Sequence, residues 1–434
     1  MIKDNNHKLK NGNTSHRRPC VLTLGVYLEK YSPEIGGSAS LSATVLSDLI
    51  DKYKNNMCQF RMVVLFKGKL SEKGFVDENG IGYININRFK MKSVLNCYAV
   101  QTVYAIRNIK RRLWLRTPIK ARASWLDMLA KKENIDLFWF VSPVLEHLQT
   151  PYIYTVWDLG HRDFPEFPEM RGDTYKWNLR EMTYMEMLPR ASYVLTGNEQ
   201  GKRDIIENYP LPEKRLRIVP FMISSFCNKK EKKPSYELPC DYFVYPAQFW
   251  AHKNHIRIVQ AVDILKNEYG IKANILFTGR DYINKNYLID EVKKRGLEDN
   301  ILFLGFVPDE ELHWIYTHSL GMIYASLMGP NNLPPIEACY LECPVILSDL
   351  VGHREEIGDA ALYFDGYDAK SLAECMKRLY SPSERKELIK RGKAVSERFN
   401  NCGYSTPIIK IVDEFSKKLE CWKGVSNSGK DQVG

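Results

Sequence analysis

Tyr324-Ala325-Ser326-Leu327-Met328-Gly329-Pro330-Asn331-Asn332-Leu333-Pro334-Pro335-Ile336-Glu337-Ala338 changes character twice. An apolar run ends at Ser326, a loop of Gly, Pro and Asn follows, and a proline pair opens the next segment, where proline suits the first turn of a helix. This pattern reads as a strand, a loop and a helix start. Backbone N–H groups at such a junction form a ready site for a diphosphate. Glu337 then falls within the first turns, where its carboxylate either accepts hydrogen bonds from ribose hydroxyls or complements the helix dipole.

The same alternation runs outward in both directions. Apolar runs at 20–24, 62–66, 135–140, 152–156 and 193–196 precede a second set at 242–245, 273–278, 301–304, 322–325, 344–348 and 361–364. Runs of this length, each closed by Gly, Pro or a polar turn and separated by helical patterns, suit buried parallel strands. Two consecutive sets imply two doubly wound, Rossmann-like α/β domains facing across a cleft. A chain of 434 residues also exceeds what one core usually supports.

The charged stretch Asn228-Lys229-Lys230-Glu231-Lys232-Lys233-Pro234 reads as a linker. The expected division is therefore a flexible tail at 1–18, an N-terminal domain at 19–220, a linker at 221–236 and a C-terminal domain at 237–405. An amphipathic helix at 406–422, with Ile409, Val412, Phe415 and Leu419 at helical spacing, is expected to pack back on the N-terminal domain, ahead of a disordered tail at 423–434.

Composition narrows the class. The chain is 44% hydrophobic and 26% charged, ordinary globular usage, so a core can form without disulfides or metal. Ten cysteines lie without a CxxC pair, which reads as reduced thiols in a cytoplasmic protein and gives no zinc ribbon. His252-Lys253-Asn254-His255 has no nearby carboxylate or thiolate in sequence to complete a metal site. No secretory signal or membrane span is legible. The net charge of +10 is uneven: residues 1–150 carry 24 Lys+Arg against 12 Asp+Glu, and the remainder carries 38 against 40. Within 88–132, Arg107, Lys110, Arg111, Arg112, Arg116, Lys120 and Arg122 interleave with Ile106, Leu113, Trp114 and Ile119. That pattern reads either as a peripheral anchor for an anionic membrane surface or as a solvated basic face. No nucleic-acid motif accompanies it, so no nucleic acid is expected as a partner.

Three further segments are candidates for chemistry. Tyr245-Pro246-Ala247-Gln248-Phe249-Trp250-Ala251-His252-Lys253 follows the first strand of the second domain, and a lysine at such a turn supplies a point charge to a phosphate. Gly36-Gly37 follows the first strand of the first domain, either admitting a ligand close to the backbone or making an ordinary turn. Tyr154-Thr155-Val156-Trp157-Asp158-Leu159-Gly160-His161-Arg162 lies just past a buried strand, at the carboxyl end where open α/β sheets place ligands.

Together these residues resemble the retaining GT-B glycosyltransferases of family 4, the group 1 glycosyl transferases, in a polysaccharide-biosynthesis branch. Leu333-Pro334-Pro335-Ile336-Glu337-Ala338 matches the second half of the family's Glu-Gly-Phe-Gly-Leu-Pro-x-x-Glu-Ala pattern. Cys343-Pro344-Val345-Ile346-Leu347-Ser348-Asp349 matches the next strand, and Gly352-His353-Arg354-Glu355-Glu356-Ile357-Gly358 the turn after it. Gly305-Phe306-Val307-Pro308 looks like the base-binding loop. The likeness is specific over about 240–380 and looser upstream.

What the resemblance implies is a hexosyltransferase taking a nucleotide-sugar donor, with a glycan or lipid-linked acceptor, retention at the sugar, and no metal or other cofactor. It places catalytic roles on Asp158, His161, Lys253 and Glu337. Donor contacts fall on Gly36, Gly37, Gln248, Lys253, Arg280, Phe306, Val307, Asn331, Asn332, Leu333 and Glu337. The chain departs from the pattern in three places. The first motif glutamate falls on Gly329, the usual phosphate-binding arginine aligns with Gln248, and Trp157-Asp158 stands where many members have His-Asp. His161 is expected to reach into the cleft in place of that histidine, and Arg257 and Arg280 are weaker candidates to supplement Lys253. The rival readings are a GT-B nucleotide-sugar epimerase and a non-catalytic nucleotide-sugar-binding scaffold.

Overall fold

The computed structural model describes residues 22–28, 37–66, 80–86, 124–172, 174–282 and 284–422. The basic stretch at 88–132 therefore lies largely outside the described residues, as do Gly36 and both tails. Among the described residues no helix is long and apolar enough to cross a membrane.

Thirteen described strands form two sheets. In the N-terminal sheet β1 (Thr23–Leu28), β2 (Arg61–Phe66), β3 (Gly82–Asn85), β4 (Leu137–Phe140), β5 (Tyr152–Thr155), β6 (Tyr193–Thr196) and β7 (Leu216–Ile218) run in the order β3-β2-β1-β4-β5-β6-β7. In the C-terminal sheet β8 (Phe243–Pro246), β9 (Ile275–Thr278), β10 (Ile301–Gly305), β11 (Gly321–Tyr324), β12 (Val345–Ser348) and β13 (Ala361–Phe364) run β10-β9-β8-β11-β12-β13. All pairings are parallel. Both sheets thus begin with the 3-2-1-4-5-6 order of doubly wound folds, whose ligands bind where the order reverses. In the C-terminal sheet that point lies between β8 and β11. The two doubly wound parallel sheets are those read from the alternation of apolar runs.

β3 and β7 were not legible as apolar runs. Both are edge strands, and β3 buries none of its four residues fully while β7 buries only Leu216. An edge strand exposed on one side needs no continuous apolar stretch, so hydrophobicity alone does not mark it.

The last described helix, Ser405–Leu419, belongs to the N-terminal core. Ile408, Ile411, Val412, Phe415 and Leu419 are buried there beside Leu24, Leu137, Trp139 and Ile153, each contributing about 2 kcal/mol by leaving water. Tyr404 stacks on both Trp139 and Phe221. The helix start is pinned where the Ser405 amide donates to Asp48 at 2.9 Å. The segment before β8 joins both cores: Phe221 lies in the N-terminal cluster, and Ile223, Phe226 and Cys227 lie in the C-terminal one.

Candidate active site

β8 runs into a loop and a short 3-10 turn, Ala251–Lys253. Asn254 then takes a left-handed conformation (φ 56°, ψ 34°) before helix His255–Asn267. Asparagine tolerates this region better than most residues, and its amide locks the turn by donating to the Gly366 carbonyl at 2.8 Å. The turn delivers Lys253 to the end of the neighbouring strand. Its Nζ donates to the Tyr324 hydroxyl at 2.8 Å and lies 3.4 Å from Ser326 Oγ. Among the described residues no carboxylate stands within ion-pair distance of this ammonium.

The loop after β11 turns at Gly329 (φ +112°), a conformation that favours glycine. Asn332 then gathers the loop: its Oδ1 accepts from Tyr324 at 2.9 Å, and its Nδ2 donates to the Gly329 carbonyl at 3.0 Å and faces His353 Nε2 at 3.0 Å. His353 is fully buried, its Nδ1 donating to the Ser348 carbonyl at 2.8 Å. Burial holds its pKa down to about 4, so the ring is neutral at ordinary pH. Leu333–Tyr340 is the helix opened by the proline pair.

Glu337 is buried on that helix and accepts a hydrogen bond from the Ser224 hydroxyl. Burial pushes its carboxyl up to about 7. Glu356 on helix Val351–Ile357 is likewise buried, and burial pushes it up to about 8.

The remaining candidates are dispersed around this core. Gln248 turns to a local partner, accepting from Trp250 Nε1 at 2.9 Å. Arg257 sits at the start of helix His255–Asn267 and bonds Gln260. Arg280 is exposed beyond β9, while Phe306 is 64% exposed and Val307 is buried beyond β10. Leu333 packs against the N-terminal cluster. Gly37 opens helix Gly37–Lys54. The Asn331 amide is shielded from solvent, has no hydrogen-bond partner, and lies where any side chain at Gly197 would collide with it.

His161 does not reach into the cleft, which corrects the expectation for this residue. Its side chain is buried within the N-terminal domain, with Nε2 3.1 Å from Glu181. The single turn Gly160–Asp163 rotates the ring onto helix Thr174–Met187. There Arg162 and Tyr209 also engage Glu181, at 2.8 and 3.1 Å. Burial holds the His161 pKa down to about 4, with the Arg180 charge adding to the effect. Asp158 is likewise committed locally, accepting from the Gly160 amide at 2.8 Å and pairing with Arg180 at 2.5 Å. Burial opposes the Asp158 charge, but the Arg180 charge and hydrogen bond, together with the Gly160 amide, outweigh it and hold the carboxyl below its ordinary range.

Other residues make the junction between the domains. Asn198 caps helix Glu199–Asn208, its Oδ1 accepting from the Gly201 amide at 2.9 Å, and its amide reaches the Pro330 carbonyl and, at 3.2 Å, Glu356. Glu169 accepts from both the His252 backbone amide (2.8 Å) and ring (2.5 Å). Arg203 pairs with Glu355. Glycines allow the close fit: a Cβ at Gly160 would stand 2.2 Å from the Met328 methyl, and one at Gly197 would stand 2.2 Å from Asn331 Oδ1. Only the cap at Asn198 had a sequence signal, an Asn ahead of a helical run. The reach across the seam had none.

Among the described residues no group of three His, Cys, Asp or Glu could hold a metal ion. The arrangement offers a charged ammonium, a glycine-turned loop and a proline-opened helix start at the carboxyl ends of β8 and β11. Such a constellation binds anionic, phosphate-like groups.

Residues 228–395 match the family of glycosyl transferases group 1. The chain is 27% identical over 240 residues to O-antigen chain mannosyltransferase B of Escherichia coli, covering 52% of this chain and 62% of that protein. It is 28% identical over 193 residues to O-antigen chain mannosyltransferase RfbU of Salmonella typhimurium (strain LT2), covering 44% of this chain and 51% of the relative. The matched region thus spans between half and two thirds of these curated relatives. In structure it superposes on WaaG, a glycosyltransferase involved in lipopolysaccharide biosynthesis, with a TM-score of 0.61 at 14% identity, over 89% of this chain and 99% of that one. Over residues 228–395 the chain thus matches the group 1 glycosyl transferases, and its two doubly wound parallel sheets are those of a GT-B fold.

Proposed function

We propose that this chain is a retaining glycosyltransferase that moves a hexose-type sugar from a nucleotide-sugar donor to a growing glycan or lipid-linked acceptor. The setting is assembly of a surface polysaccharide such as O-antigen or capsule, on the cytoplasmic side of the membrane. The relatives named as mannosyltransferases favour a mannose-type sugar. The observation that carries this reading is Lys253, an ammonium paired with no described carboxylate and held where the C-terminal strand order reverses.

Cleaving a glycosyl phosphate develops negative charge on the departing diphosphate. Lys253 and the loop amides near Asn331–Leu333 stabilise that charge without a metal. Glu337, buried on the helix that follows, receives the ribose hydroxyls in exchange for its bond to Ser224. With Asp158 and His161 both engaged inside the N-terminal domain, the leaving phosphate itself takes the acceptor proton.

The test is a thermal-shift screen of the full chain against nucleotide sugars, followed by donor hydrolysis and transfer assays. Binding of one donor with slow release of its nucleoside diphosphate is expected. Lys253→Ala and Glu337→Ala should each lower kcat/KM at least about tenfold, or about 1.4 kcal/mol. Tight binding with no turnover would support a scaffold instead, sugar interconversion without transfer an epimerase, and both variants within about twofold of the parent would remove the site assignment.

A further inference from the structure

We propose that Tyr324, Asn332 and His353 are positioning residues: a one-directional relay of neutral hydrogen bonds that aims the Lys253 ammonium at diphosphate oxygens. The inference rests on the diphosphate reading above and extends it to groups behind the lysine; the Asn332 side chain, expected from the resemblance to contact the donor, is engaged by Tyr324, Gly329 and His353 instead.

The direction of the relay follows from its far end. The Ser348 carbonyl can only accept, so His353 Nδ1, 2.8 Å away, carries the ring's proton. A neutral ring then leaves Nε2 as an acceptor, and the Asn332 group facing it at 3.0 Å must be the NH2. That choice agrees with the second contact of the same nitrogen, 3.0 Å from the Gly329 carbonyl. The Asn332 oxygen is thereby turned to Tyr324 at 2.9 Å, so the phenol proton points at Asn332. The Tyr324 oxygen keeps a lone pair for Lys253 Nζ at 2.8 Å. Every member except Lys253 is buried, so no solvent rearrangement competes with this order.

The chemistry of the tether matters as much as its geometry. A carboxylate would hold a lysine more strongly, but it would neutralise the charge and repel an incoming diphosphate. A phenol oxygen fixes the ammonium without quenching it. Tyr324 and Ser326 occupy two of its three hydrogens, which leaves one for a phosphate oxygen. The relay also anchors the charge to the ends of β11 and β12 rather than to a mobile loop.

Two measurements on the full chain separate this proposal from the reading it rests on. The first is the acetylation rate of Lys253 without ligand, followed by mass spectrometry; the second is the affinity for inorganic pyrophosphate by calorimetry. Tyr324→Phe should raise the acetylation rate about threefold or more and weaken pyrophosphate by about three- to tenfold, with little change in unfolding midpoint. Asn332→Leu, which removes the acceptor of the Tyr324 proton and the donor to His353 Nε2 without adding a charge, should do the same, and it decides the matter if the first variant does not fold.

An unchanged acetylation rate in the folded variants overturns the relay. So does faster acetylation with unaltered pyrophosphate affinity while Lys253→Ala weakens binding. If Lys253→Ala binds pyrophosphate as the parent does, the diphosphate reading fails instead, and acetylation alone judges whether Tyr324 holds the lysine.

Discussion

At the carboxyl end of β5 the N-terminal domain carries Asp158, His161 and Arg162, and helix Thr174–Met187 adds Arg180 and Glu181; all five are engaged inside that domain. At the carboxyl ends of β8 and β11 the C-terminal domain carries Lys253, held by two hydroxyl groups and, among the described residues, by no charge. One region spends its charges on itself, and the other keeps one in reserve. Removing one partner of a buried charge pair costs stability, and while paired the charge is silent towards a ligand; an ammonium tethered by neutral groups contributes little to stability and retains its field. Charges lost from the two regions should therefore be felt in different assays.

The largest expected effect is on stability in the first region. Glu181→Ala leaves Arg162, His161 and the Tyr209 hydroxyl without their shared acceptor and should lower unfolding free energy by about 3 kcal/mol, read by urea denaturation. Because the Arg162 hydrogen bonds hold Glu181 below its ordinary 4.5, its contribution is present above that value and is lost as pH falls through the lower folded one. A Glu181→Ala protein as stable as the parent would show that the cluster does not support the domain.

Next comes Lys253→Glu, which should lower turnover about 100-fold, or about 2.7 kcal/mol of transition-state stabilisation, while its unfolding midpoint stays near the parent's. Loss of fold in that variant would erase the contrast between the two regions.

Smaller effects sharpen the view of the loop at 329–333, which meets the C-terminal domain's own Gly352 on one side and Gly197 of the N-terminal domain on the other. Gly352→Ala drives a Cβ against the Pro330 backbone oxygen and should cost about 2 kcal/mol, because backbone must move. Gly197→Ala meets only the end of the Asn331 side chain, which can turn aside, and should cost about 0.5 kcal/mol. Equal costs would mean the loop is not held rigidly by Gly352.

The last prediction concerns slope. Glu356 is raised from 4.5 to about 8 by burial, so its contribution is fully present below 4.5 and is lost as pH rises through about 8. Glu356→Gln should remove that part of the alkaline decline in midpoint, and an unaltered pH profile would show that Glu356 is not its source. The sign is opposite to that for Glu181: one region weakens in acid, the other in base.

Much of this is legible in the sequence. The alternation of apolar runs determined two parallel doubly wound sheets, because strands buried on both faces must be continuously apolar. The proline pair marked the start of helix Leu333–Tyr340, and the turn after β8 singled out Lys253, since both signals are local in the chain. Tertiary structure alone decided which way side chains turned. His161 follows Glu181, twenty residues away, and Asn198 meets Glu356, which lies 158 residues along the chain. The partners of Lys253 stand 71 and 73 residues distant. Periodicity and turn chemistry are written in neighbouring residues, whereas hydrogen-bond partners and the shielding that sets a pKa come from strands and helices that meet only after folding.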